Sequence, residues 1–143
     1  MSEALSDYGE NAFLRHIFRT SGGVPGTVYL ALTSTGTISE SMTMSSLTEP
    51  SSSNGYSRMP LSVPSNTDWP TVGQSYLESK EVQWSPVSNP WNGLYHIVLC
   101  DSALAAANII AYRPLENASP PSGASIYVAV GQSLTSTFRF SQE

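Results

Sequence analysis

Thr27-Val28-Tyr29-Leu30-Ala31-Leu32-Thr33 decides how this chain is read. Side chains alternate along a strand, so Val28, Leu30 and Leu32 share one face, and Tyr29 and Ala31 share the other. Neither face is polar, so the strand needs cover on both sides. Leu94-Tyr95-His96-Ile97-Val98-Leu99-Cys100 is the most apolar run and reads as a central strand.

Upstream, residues 3–19 carry a helical pattern. Leu5, Tyr8 and Ala12 lie on an apolar stripe, joined by the i,i+4 pairs Phe13/Ile17 and Leu14/Phe18. Asp7 and Glu10 come early and Arg15 and Arg19 late, as the helix dipole favours. Ser2 and Ser6 are the candidate caps. Gly9 costs about 1 kcal/mol against alanine, so this helix depends on packing. Ser21-Gly22-Gly23 ends it and Pro25-Gly26 turns into the strand. The helix is the expected cover for one face of 27–33.

Downstream, 34–55 is rich in serine and threonine and reads as a long ordered loop with a weak strand at 41–47. A loop of that length is uncommon in a compact domain unless it has a task. Residues 56–63 read as a strand that Pro60 confines to an edge or a bulge. A second long loop, 64–80, carries Asp68-Trp69-Pro70. Residues 81–84 form a short strand, followed by turns at Pro86, Pro90 and Asn92-Gly93. Beyond the central strand come a turn of small residues at 101–107, a strand at 108–113 and a loop at 114–123. The last two strands, 125–130 and 134–140, are joined by Gly131-Gln132-Ser133, a length suited to a hairpin. Leu134, Ser136, Phe138 and Phe140 alternate with Thr135, Thr137 and Arg139, as in a half-buried strand. Short strands with Gly/Pro turns indicate a sandwich or a barrel. The expectation is one mainly β domain over 1–143: an antiparallel β-sandwich, jelly-roll or immunoglobulin-like, with a short N-terminal helix.

Composition narrows the function classes. The 143 residues suit one core. Only 12% are charged, about half the ordinary share, and Ser and Thr fill the gap at roughly a quarter of the chain. Sparse charge suits a protein that buries its outside against neighbours. Net charge is −5, and the basic residues Arg15, Arg19, Arg58, Lys80, Arg113 and Arg139 are dispersed. Both facts argue against a nucleic-acid partner. No run of about 18 apolar residues suggests a membrane span. Cys100 is the single cysteine, so no internal disulfide is expected. Asn117-Ala118-Ser119 matches a glycosylation acceptor and reads as chance without a secretion signal.

Candidate chemistry is thin. His16 and His96 are the histidines. A Ser/His/Asp set built on His96 and Asp101 lacks any Gly-x-Ser-x-Gly elbow, so His96 reads as structural. Cys100 and His96 share a strand face but stand about 13 Å apart at the usual rise, too far for a thiolate pair. No metal-ligand spacing occurs, and Asp68 and Glu49 lack the acidic run of a calcium loop. Glu78 and Glu81 are carboxylates near Trp69 and Trp84, read as solvated loop charges. No catalytic residue, metal or cofactor is expected. Trp69, Trp84 and Trp91 read first as core plugs and loop anchors, with an interface or a sugar-binding platform as the alternative.

The order of segments carries a resemblance. Tyr8-x-x-Asn11-Ala12-Phe13-Leu14-x-x-Ile17-Phe18 precedes Pro25-Gly26 and the 27–33 strand. Leu47-Thr48-Glu49-Pro50-Ser51 and Gly55-Tyr56-Ser57-Arg58 come next. Then follow Tyr95-His96-Ile97-Val98-Leu99-Cys100-Asp101, Asn108-Ile109-Ile110-Ala111-Tyr112 and Val128-Ala129-Val130-Gly131-Gln132-Ser133-Leu134. Over nearly its whole length the chain resembles small structural proteins of tailed phages, of the tail-fibre-like or minor tail type. It departs from them in long insertions around 36–47 and 64–93.

The resemblance implies a non-enzymatic virion protein, repeated on the tail or fibre apparatus or decorating the capsid as cement. Its partners would be copies of itself and other virion proteins. The start of the chain lacks a signal-peptide pattern, so synthesis in the host cytoplasm is expected. Leu5, Tyr8, Phe13 and Ile17 of the helix, with Trp69 and Trp91, are the candidate protein-interface residues. Glu49 and Arg58 are a candidate pair for positioning the 49–58 loop. The alternative from another class is a carbohydrate- or receptor-binding β-sandwich module.

Overall fold

The computed structural model describes residues 4–6, 8–9, 26–63, 65, 67–72 and 76–141. Twelve strands are present among them. The first six are β1 (Ala4–Leu5), β2 (Thr27–Thr33), β3 (Met59–Ser62), β4 (Thr71–Val72), β5 (Tyr76–Glu78) and β6 (Val82–Trp84). The rest are β7 (Trp91–Leu94), β8 (His96–Cys100), β9 (Ile109–Pro114), β10 (Ile126–Val128), β11 (Leu134–Ser136) and β12 (Arg139–Ser141). A five-stranded antiparallel sheet of order β1-β9-β8-β2-β3 is the frame. β8 pairs with β2, Leu30 opposite Leu99, and with β9, Val98 opposite Tyr112. All five residues of β8 are buried, as a doubly covered strand requires. β3 is an edge strand, where the missing N–H of Pro60 breaks no interior ladder.

The two faces of this sheet hold two separate clusters. Val28, Leu30, Leu32, Leu61, Ile97 and Leu99 join Trp69, Trp84, Trp91 and Phe138 in the larger one. Ala31, Val98, Cys100 and Ile109 join Ile38, Met44 and Ala107 in the smaller. Between Leu99 and Cys100 the partner on β9 jumps from Ala111 to Ile109, so Ile110 is a bulge residue. That extra residue lets Ile110 and Ala111, neighbours in sequence, both reach the larger cluster.

Among the described residues, the second face is covered by the Ser/Thr-rich loop, which brings Ile38 and Met44 over the sheet with Met42 and Leu47 beside them. The weak strand expected at 41–47 is a 3-10 turn, Met44–Ser46, with a single bridge between Thr43 and Asn108. Hydroxyls and main chain pin the loop. Ser34 N–H and Thr33 Oγ1 donate to Thr48 O at 2.9 and 2.7 Å, and Thr48 N–H donates to Thr35 Oγ1 at 2.9 Å. A second turn, Ser52–Asn54, is capped by Ser51 Oγ and closed by Gly55 at φ 84°.

The N-terminal segment also departs from the helical reading. Ala4–Leu5 form a strand that pairs with Tyr112 and Ala111 of β9. Tyr8 and Gly9 have helical backbone, and Ser6 Oγ accepts Gly9 N–H at 3.0 Å, the contact of an N-cap. A Cβ on Gly9 would fall on the Ile110 carbonyl, so close approach to β9 explains the glycine. The rest of the expected helix, 10–19, lies outside the described residues.

Three small antiparallel sheets surround the frame: β7 with β10, β6 with β11, and β12-β5-β4. Described strands therefore group as one larger sheet and three small ones, and neither a jelly-roll nor an immunoglobulin-like pairing order emerges among them. The expected 64–80 loop contains β4 and β5. The hairpin expected between the last two strands does not form, because β10 pairs with β7 and β11 with β6. The 134–140 run splits and changes partner, β11 serving β6 and β12 serving β5. At the switch, Phe138 N–H donates to Ser79 Oγ and Ser79 N–H to Phe138 O, both at 2.8 Å. Phe138 itself is fully buried.

Met44 tests the loop as a structural layer. It is 1% exposed, so Met44→Ala should cost about 2–5 kcal/mol in urea unfolding, as a core truncation does. A cost near that of the surface change Val87→Ala would show that the loop does not close the core.

Candidate functional site

The most connected polar cluster joins Glu49, Tyr56 and Arg58. Arg58 Nε donates to Glu49 Oε1 at 2.9 Å and Nη2 to Oε2 at 2.7 Å, a two-pronged ion pair. Tyr56 Oη donates to Glu49 Oε1 at 2.6 Å and accepts Leu32 N–H at 3.0 Å. The remaining arm, Arg58 Nη1, donates to Ser102 O at 3.0 Å and Leu104 O at 2.7 Å. One guanidinium thus ties the approach to β3, the 49–55 loop and the 101–107 turn. The Arg58 side chain is 8% exposed and that of Glu49 19%. The Glu49 bond raises the pKa of Arg58. Burial, then the adjacent Glu49 charge, pushes the Tyr56 phenol far above its ordinary range. The arrangement fixes loops.

Groups that sequence singled out for chemistry sit in structural roles. His96 is buried and its Nδ1 lies 2.9 Å from Thr35 O, tying β8 to the covering loop. Its ring meets Tyr112 edge-on. Burial lowers the His96 pKa. Burial also pushes the Cys100 thiol up to about 12, and Sγ points to Tyr29 O and Ser102 O at 3.5 Å. Asp101 uses both oxygens on Asn108, accepting its N–H at 2.8 Å and Nδ2 at 2.9 Å, which closes the 101–107 turn. Glu78 lies in β5 rather than a loop and accepts from Thr137 Oγ1 at 3.1 Å, while Glu81 is exposed. Asp68 is held below the usual carboxylate range by Lys80 at 2.6 Å and by the Ser62 N–H. Among the described residues no cluster of three metal-ligating groups occurs.

The candidate interface residues separate. Trp69 and Trp91 are core residues, 8% and 3% exposed, so neither presents an indole face to a partner. Trp69 Nε1 donates to Ser62 O at 3.1 Å, and Trp91 packs edge-on against Tyr56 at 5.8 Å. Tyr8 is half-buried against the larger cluster, Leu5 lies in β1, and Phe13, Ile17 and His16 fall outside the described residues. Sequence reasoning missed the apolar side chains that are exposed: Val87, Leu104, Tyr127 and Val130. Tyr127 and Val130 sit in an alternating run with no feature that says which face turns outward. A shallow depression of about 160 Å³ lies between the 49–54 and 90–94 segments, lined by Ser34, Glu49, Asn54, Trp91 and Asn92 among others.

Two outcomes follow. Arg58→Ala leaves a half-buried Glu49 without its ion pair and two carbonyls without their donor. It should cost roughly 2–4 kcal/mol in urea unfolding, and Arg58→Lys should recover only part because one ammonium cannot replace the fork. An Arg58→Ala cost under about 1 kcal/mol would reduce the cluster to a surface pair. For His96, the unfolded imidazole titrates near its usual value of about 6.5, while the folded one titrates lower. Below that pH the unfolded chain binds more protons, so stability is fully present above about pH 6.5 and falls as pH drops toward the folded value. Melting at about pH 7.5 and about pH 5.5 should show a loss that His96→Gln lacks, and equal losses would refute it.

Comparison with known proteins adds the family. Residues 4–135 match the family model described as podophage GP4 fiber I protein gp80. No curated protein matches the chain. The matched span begins at β1 and ends within β11, so it takes in the whole five-stranded sheet and the Glu49–Tyr56–Arg58 cluster. The chain belongs to the podophage GP4 fiber I protein gp80 family, a family of tailed-phage fibre proteins.

Proposed function

We propose that this chain is a non-enzymatic structural component of a tailed-phage particle, assembled in repeated copies on the fibre apparatus. The observation that carries the reading is the family match over 4–135. The site geometry supports it. His96, Cys100 and the Glu49–Arg58 pair each hold one segment to another. Sparse charge favours close contact with copies of the chain and with other virion proteins, since charge is depleted at interface cores. Leu5 of β1, Tyr8 and the segment carrying Phe13 and Ile17 are the interface we favour. Fibre placement is preferred over capsid decoration on the family description alone.

A carbohydrate-binding reading loses its main support, because it required Trp69 and Trp91 at the surface and both are buried. Among the described residues no helix is long and apolar enough to cross a membrane.

Copy number tests the proposal. Quantitative mass spectrometry of purified particles should find this chain at a few per cent of the major capsid protein. Near-equal amounts would mean shell decoration, and absence from particles would refute a virion role.

A further inference from the structure

Two Asn-Gly dipeptides occur among the described residues, and the fold treats them differently. Deamidation at asparagine requires the next main-chain nitrogen to reach the side-chain carbonyl carbon, which a following glycine obstructs least. Asn54-Gly55 is held. Asn54 Oδ1 accepts from Ser88 Oγ at 2.7 Å and Asn89 Nδ2 at 3.3 Å. The Asn54 carbonyl accepts Val87 N–H at 3.0 Å, and Gly55 N–H donates to Ser52 O at 3.2 Å. Asn92-Gly93 lies in β7, and the Asn92 side chain has no clamp like that on Asn54. Asn92 is exposed, and Gly93 has φ 72° with open space where a Cβ would stand. The β7–β10 ladder also slips at this pair, since Leu94 faces Ile126 but Trp91 faces Val128. The other described asparagines are poorer candidates. Asn89 precedes Pro90, which has no N–H. Asn108 precedes β-branched Ile109, and its Nδ2 is bonded to Asp101. Asn117 precedes Ala118, whose N–H donates to Leu115 O at 3.0 Å.

We propose that Asn92 is a spontaneous modification site, converting to aspartate and isoaspartate in the folded protein, while the fold protects Asn54. The Gly93 nitrogen attacks Asn92 Cγ; the new C–N bond closes a succinimide, the Cγ–Nδ2 bond breaks, and ammonia leaves with the proton from Gly93. Water then opens the ring at either carbonyl, with no change of oxidation state. Both products add a negative charge to the rim that Asn92 shares with Glu49. Isoaspartate also inserts a methylene into the main chain of β7, beside the buried Trp91. This inference is independent of the fibre reading.

The test uses the full chain, kept folded at mildly alkaline pH beside a sample in urea, with peptide mapping that separates aspartate from isoaspartate. In the folded sample Asn92 should convert severalfold faster than Asn54, and in urea the two rates should converge. Asn54 converting as fast as Asn92 in the folded chain overturns the proposal. So does an unmodified Asn92 over the time in which the urea sample converts, or a rate gap in urea as wide as in the folded protein.

Discussion

A strand that is apolar on both faces cannot lie at the surface, and β8 imposes that constraint on everything around it. Its five residues are buried, with Ile97 and Leu99 turned to one cluster and Val98 and Cys100 to the other. One cover comes from Trp84 and Trp91 of the small sheets and from Phe138 between β11 and β12. The other comes from a loop. A loop used as a layer brings main-chain polar groups toward the core, and each needs a partner. The Thr33 and Thr35 hydroxyls answer part of that need, bonding the main chain of Thr35 and Thr48. The high share of serine and threonine is therefore partly a consequence of covering a sheet face with a loop.

What could be read from sequence follows from where the signal is local. β2 spans the residues its alternation marks, because seven residues of period two leave little ambiguity. Pro60 placed β3 at an edge because a missing donor has one consequence wherever it occurs. The strands β4 and β5, two and three residues long, are too short to show a period. The choice of cover for β2 was hidden for another reason: an amphipathic stripe at 3–19 and scattered apolar residues at 38–47 both offer a face, and only tertiary packing selects. Residues 134–140 keep their alternation although the partner changes midway, because the period belongs to the extended backbone and not to the neighbour it bonds.

The polar cluster divides in the same way. Glu49 and Arg58 stand out because charges are few in this chain. The carbonyls of Ser102 and Leu104 leave no trace in side-chain chemistry, so the third segment that Arg58 holds was invisible. Trp69 and Trp91 take the core places of one reading and not the interface places of the other. Trp69 and Trp91 lie amid prolines and polar residues, a setting that suggests a surface anchor. Burial of large aromatic area outweighs that setting. Trp69 and Trp84 satisfy their indole N–H groups on the carbonyls of Ser62 and Ser57, so the loops bend around the rings.

These features bear on how such a chain works in an assembly. Where described charges occur, several are clamps within the chain: Arg58 on Glu49 and Lys80 on Asp68. The Arg58–Glu49 pair is already largely out of water, so covering it adds little to the desolvation penalty of association. The exposed apolar residues Leu104, Tyr127 and Val130 add contact area without adding charge. Arg58 contributes at one remove, since it holds the turn that carries Leu104. A protein built this way resists rearrangement on contact, because its outward-facing turns are already fixed from within. That property suits a structural component of a virion.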